Sequence, residues 1–200
     1  EPRAARPLGR AARTTIEEEL TLRHCIPTST GAAFDPFDPD PDLITIVDIA
    51  HQLAGQTRWS GATSWDDNRP AITVAEHSVR VAIECPDRFK LDGLLHDAAE
   101  AYLGDIARPL KWRVPLWIAA EERLRRVIAE KFGASAELPP AVRDIDDRMQ
   151  VTEFRDLIAA HSDDWRESLP DAQAFDEVIR PGTPTEARYC FLSMFYELTT

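Results

Sequence analysis

Residues Leu94-Leu95-His96-Asp97-Ala98-Ala99-Glu100 put an imidazole and a carboxylate side by side on an apolar segment, with a second carboxylate three residues on. A His with an Asp is a donor set for a divalent cation. On a helix adjacent residues diverge by ~100°, so His96 and Asp97 can share a centre only if it lies beside the helix, between their two directions. Glu100 sits one turn beyond Asp97 and reaches the same place from behind. Such a pair also arises by chance, so the rest of the chain must complete the centre. The chain has only five histidines, His24, His51, His77, His96 and His161.

The elements that would position this pair are helical. Thr45 with Asp48 reads as an N-cap, and Ile46, Ile49, Ala50 and Leu53 fall on one face of a helix ending near Gly55. Thr73-Val74-Ala75-Glu76 reads as a capping box that opens a helix carrying His77 and stopping before Pro86. The next helix is expected from about Leu91 to Leu103, closed by Gly104. Helices joined by a short loop pack antiparallel, so His77 can face His96 and Asp97 across the contact. Ile106 to Lys111 reads as a loop. Pro115 opens a long helix ending near Gly133, Pro139-Pro140 precedes one from Ala141 to about Ala160, and Thr183-Pro184-Thr185-Glu186 caps a last helix to Leu198. A fourth ligand should come from an inward-facing acid. Asp144, Asp146 and Asp147 share one turn, and Asp146 lies among Ile145, Met149 and Phe154, with Asp147 as the alternative.

The expected fold is all-α, a bundle of about six helices. A small N-terminal hairpin is expected around Glu19–His24 and Thr28–Gly31. Asp38, Asp40 and Asp42 resemble the start of a calcium loop, but its Gly and closing Glu are missing, so a surface turn is expected. Residues 19–200 read as one domain, preceded by an Arg- and Ala-rich extension over 1–18 that reads as disordered. A net charge of −12 argues against broad binding to DNA or RNA. No apolar run approaches a membrane span. Three cysteines at unrelated spacings suggest neither a disulfide framework nor a zinc knuckle, and a cytoplasmic location is the expectation.

His77, then His96-Asp97, then a distant Asp146 resembles the H…HD…D pattern of the HD-domain metal phosphohydrolases. Val74-Ala75-Glu76-His77-Ser78, the run from Leu94 to Ile106, and Arg108-Pro109-Leu110-Lys111 resemble the bacterial and phage branch related to the 5′-deoxynucleotidases. Arg58-Trp59 is similar to that branch's Arg-Trp element, and Asp146-Asp147-Arg148-Met149 with Thr152-Glu153 to its final-Asp helix. The resemblance implies one divalent cation on His77, His96, Asp97 and Asp146. It places Glu100 and Asp105 near the scissile phosphate, where one of them would orient the attacking water or protonate the leaving oxygen. Arg58 would hold phosphate, Trp59 would border the sugar or base, and Lys111 would be a further phosphate contact. The competing readings are core packing for Trp59 and an ordinary surface lysine for Lys111. The stretch Ser64–Asn68 is longer than the family's usual loop. His51 reads as a core or supporting histidine.

The resemblance implies hydrolysis of (deoxy)nucleotide phosphate esters, foremost nucleoside 5′-monophosphates to nucleoside and phosphate. The alternatives are a triphosphohydrolase releasing tripolyphosphate from deoxynucleoside triphosphates and a non-catalytic nucleotide-binding module. No His lies between His96 and His161, which disfavours a second metal. The donor set suits Mn, Fe, Co, Zn or Ni. The expected partner is a small nucleotide, with a homodimer expected from the family's habit.

Overall fold

The structure, a computed structural model, describes residues 24–64, 70–158 and 167–200. The 1–18 extension, the start of the expected strand, Trp65–Asn68 and His161 lie outside the described residues. The fold is all-α with a small N-terminal hairpin.

That hairpin is shifted from its expected place. Its strands are β1 (Ile26–Pro27) and β2 (Ala33–Phe34), antiparallel, with Ile26 opposite Phe34. The Thr28–Gly31 turn lies between them, closed by Gly31 N–H on the Thr28 carbonyl at 3.0 Å. Gly31 has φ 91°, open to glycine without strain. Asp48 ties the turn to helix α1 (Ile46–Ala54): it accepts from Ser29 Oγ at 2.6 Å, Thr30 N at 2.7 Å and Thr30 Oγ1 at 2.8 Å. Burial pushes the Asp48 pKa up, but these hydroxyls, with that of Thr45, outweigh it and hold the carboxyl below its usual range. Thr45 caps α1 as expected. His51, in contrast, is exposed on α1 and lies 3.4 Å from Arg188, so it is a surface residue and not a core one.

Helix α2 (Val74–Glu84) starts at Thr73, whose side chain accepts from Glu76 N. The expected capping box is only half made, because the Glu76 carboxylate turns instead to Arg80 and to Gly182 N. The expected Leu91–Leu103 helix is broken into α3 (Lys90–Leu95) and α4 (Glu100–Leu103). Between them the bonds shorten to three residues: Ala98 N–H to Leu95 O, Glu100 N–H to Asp97 O and Ala101 N–H to Ala98 O. Such tightening brings residues three apart onto one edge, so Glu100 stacks directly beyond Asp97. The His96 ring bends back to the Gly93 carbonyl at 2.7 Å, a side-chain intrusion of the kind that breaks a helix ladder.

Residues 106–111 are also not all loop, since Arg108–Lys111 forms the short helix α5. Helix α6 (Pro115–Phe132) ends at Gly133, as expected, and does so through a left-handed cap with φ 79°. Helix α7 (Pro140–Leu157) carries the acids, and α8 (Pro184–Thr199) opens with a complete Thr183/Glu186 capping box. The main core joins Phe34, Ile49, Leu53, Leu94, Leu124, Ile128 and Phe191, so it gathers β2, α1, α3, α6 and α8. A second cluster with Ile72, Val81, Val142, Met149 and Leu157 fixes α7 on α2. The site lies where these two cores meet. No described helix is long and apolar enough to cross a membrane.

Candidate metal centre

Helices α2 and α3 run antiparallel: His77, early in α2, meets His96, while Cys85, just past its end, meets Gly93. The two Nε2 atoms are 3.3 Å apart. Asp146 Oδ1, from α7, lies 3.1 Å from His77 Nε2 and 3.8 Å from His96 Nε2. Asp97 Oδ2 lies 3.2 Å from His96 Nε2 and 3.6 Å from His77 Nε2. All four residues expected to share one centre therefore converge, and His77, His96 and Asp146 alone form a group able to hold a metal ion. Asp147 turns away, toward Arg108 at 3.3 Å.

The other ring nitrogens are already committed. His96 Nδ1 donates to the Gly93 carbonyl, and His77 Nδ1 donates to Glu153 Oε1 at 2.6 Å. That tautomer leaves each Nε2 lone pair facing the centre, the arrangement found where a carboxylate or carbonyl orients a metal-binding histidine. The donor set thus fits a divalent cation. The charges also support one another. When protonated, the two imidazoles turn Nε2–H toward the carboxylates: burial raises the Asp146 pKa, yet hydrogen bonds from His77 and His96 prevail and hold it well below the usual range, and a cation at the centre would take the place of those protons. Burial likewise opposes the charge on Asp97, but His96 beside it keeps that carboxyl low.

Glu153 is the residue that sequence reading left without a role. It is fully buried, and its Oε2 accepts from Trp59 Nε1 at 2.9 Å and Arg58 Nε at 3.1 Å. It lies seven residues after Asp146, two turns along the same edge of α7, which was the available signal. Arg58 also reaches Asp97 Oδ2 at 3.5 Å. Trp59 packs beside Phe154, with ring centroids 6.0 Å apart. Trp59 (φ 58°) and Ser60 (φ 52°) both sit in the left-handed region, strain of about 1–3 kcal/mol each for such residues. The Thr57–Thr73 bridge and the Trp59–Glu153 bond hold them there.

Glu100 and Asp105 flank the centre. Glu100 is buried; its Oε1 accepts from Lys111 Nζ at 2.7 Å, while Oε2 has no protein partner. Burial, then Asp97 and Asp105, push the Glu100 pKa well up despite Lys111. Burial also raises Asp105, against the pull of Arg58. Gln56 fixes the segment, accepting from Asp105 N at 2.9 Å and donating to the Glu100 carbonyl at 2.9 Å. Lys111 is held by two carboxylates, Glu100 and, at 2.7 Å, Glu121 of α6, a residue that sequence reading did not single out.

Gly93 is a second unforeseen participant. A Cβ there would lie 2.8 Å from Cys85 Sγ and 3.1 Å from Ala82 Cα. Alanine ordinarily favours a helix over glycine by about 0.8–1 kcal/mol. Here overpacking reverses the sign, and Gly93→Ala is expected to cost about 1–3 kcal/mol. Because the Gly93 carbonyl orients His96, Mn²⁺ affinity should fall as well. Urea denaturation and a metal titration check both, and a stabilised Gly93→Ala protein would refute the close contact.

An all-α protein with two buried histidines and two half-buried aspartates converging on one point is the class that this fold and site define. Within it, the chain is 33% identical over 176 residues to the uncharacterized protein YfdR of Escherichia coli, covering 87% of this chain and 95% of that protein, and it belongs to the same family. It is also 38% identical over 122 residues to an uncharacterized protein of Rhodobacter capsulatus, covering 57% of this chain and 61% of that one. No family model matches the chain.

Proposed function

We propose that the protein is an HD-domain-like metal-dependent phosphohydrolase that cleaves the phosphate ester of (deoxy)nucleotides, foremost nucleoside 5′-monophosphates to nucleoside and phosphate. The observation that carries this reading is the convergence of His77, His96, Asp97 and Asp146 with both Nδ1 atoms tied back. A divalent cation on these four residues would supply Lewis acidity toward the phosphoryl group and the attacking water.

The chain's own residues manage the protons. Glu100 has Oε1 held by Lys111, so its proton resides on Oε2, the atom without a protein partner. As water attacks phosphorus and the P–O5′ bond breaks, Glu100 Oε2 gives its proton to the leaving oxygen, and a proton brought by the attacking water returns to Glu100 from the phosphate product. Asp105 orients the water. Arg58, fixed by Glu153, faces the charge developing on the phosphoryl oxygens. Trp59, half-buried beside Arg58, would border the nucleoside.

A panel of nucleoside mono-, di- and triphosphates with Mn²⁺ and Co²⁺, followed for both phosphate and nucleoside by chromatography, tests this function. Inorganic phosphate and nucleoside from dAMP are the expected products. Tripolyphosphate from dATP would replace the reading with a triphosphohydrolase. Metal binding with no turnover of any nucleotide would refute the nucleotidase reading.

A further inference from the structure

Among the described residues three cationic side chains enter the site, and all three are paired with carboxylates, but they differ in their freedom to leave. Lys111 is 14% exposed and lies between Glu100 and Glu121 at 2.7 Å each. Arg58 is 12% exposed, with its Nε on the fully buried Glu153. Arg108, at the start of α5, is 45% exposed. Its Nη2 meets Asp146 Oδ2 at 3.1 Å, and its Nη1 meets Asp147 Oδ1 at 3.3 Å. Those are two single contacts to two different carboxylates near solvent, where ion pairs are weak and side chains exchange readily. Asp146 Oδ1 faces the histidines, so Arg108 lies on the outer side of the same carboxylate.

An anionic substrate at the centre would meet the carboxylates of Asp97 and Asp146, with Asp105 and Asp147 close by. A guanidinium that moves from two carboxylates to one phosphate exchanges two separate bonds for a forked pair, the geometry that arginine offers phosphate and lysine does not. A cation held by Asp146 would share that carboxylate's charge and loosen the Arg108 contact further. We infer that Arg108 is the mobile phosphate contact of this site, meeting the substrate from solvent, whereas Lys111 positions Glu100. This inference rests on the phosphohydrolase reading above.

The test uses the full chain loaded with Mn²⁺ and inorganic phosphate as the probe, with binding read from ³¹P line broadening. A Mn²⁺ titration of the unmutated protein comes first. No Mn²⁺ binding there would overturn the metal reading itself, separately from the role of Arg108. With metal bound, Arg108→Ala is expected to weaken phosphate binding about 10- to 30-fold at saturating Mn²⁺, with Arg108→Lys falling between. Mn²⁺ affinity should stay equal or tighten, since a cation beside Asp146 is removed. Phosphate binding unchanged at saturating Mn²⁺ would overturn the proposal. So would a loss of Mn²⁺ affinity that fully accounts for the phosphate effect, because Arg108 would then only orient Asp146.

Discussion

Glu153→Ala should be the most damaging single change outside the ligands themselves, lowering stability by about 3–5 kcal/mol. The side chain is fully buried and receives three donors, His77 Nδ1, Trp59 Nε1 and Arg58 Nε. Alanine would strand Arg58 Nε and two ring N–H groups without an acceptor and leave the guanidinium only its longer contact to Asp97, and a buried charge that loses its close partner is the costly case. The left-handed Trp59-Ser60 turn would also lose the contact that opposes its strain. His77 would lose the group that fixes its tautomer, so Mn²⁺ affinity should fall about 10- to 100-fold. Urea denaturation followed by fluorescence and a metal titration read both effects. A variant of unchanged midpoint and unchanged metal affinity would refute this role. Glu153→Gln, which keeps the volume and one acceptor, should fall between.

The second large effect concerns chemistry. Alanine at His96 or at Asp146 should reduce turnover of the preferred nucleotide by about 10³-fold or more, the loss of several kcal/mol of transition-state stabilisation. Alanine at Asp147, one residue away, should leave kcat within about threefold, as expected of a partly exposed ion pair. The contrast follows from helix rotation. Asp146 Oδ1 points at the two Nε2 atoms, and Asp147 points at Arg108. Equal losses in Asp146→Ala and Asp147→Ala would refute the ligand assignment, and full activity in His96→Ala would refute the centre.

Several of these features were legible in the chain itself. An adjacent His-Asp pair, a scarcity of histidines and an antiparallel neighbour carrying His77 were enough to expect a shared centre. Apolar neighbours in α7 favoured Asp146 over Asp147. Capping residues gave the starts of α1, α2 and α8 because a cap is a local hydrogen bond written in adjacent residues. What escaped depends on tertiary contacts. Glu153 has the composition of a solvated helix face, and only packing against Arg58 and Trp59 buries it. Glu121 and Glu122 are indistinguishable by type, yet one meets Lys111 and the other meets Arg125 and Arg126. The break at His96 comes from its own ring on the Gly93 carbonyl, which periodicity cannot register. The positive φ of Trp59 and Ser60 has no signature in those residue types. His51 was expected as a core or supporting histidine and is on the surface, because α1 turns Ile49 and Leu53 inward.

Whether His77, His96, Asp97 and Asp146 form one metal centre is decided by counting bound metal. After exposure to Mn²⁺ or Co²⁺ and removal of excess, elemental analysis of the full chain should give one ion per chain. The same treatment of Asp146→Ala should give nearly none, while circular dichroism shows the helices retained. An unmutated protein with no bound ion, or an Asp146→Ala protein that binds as much as the unmutated one, would contradict the account.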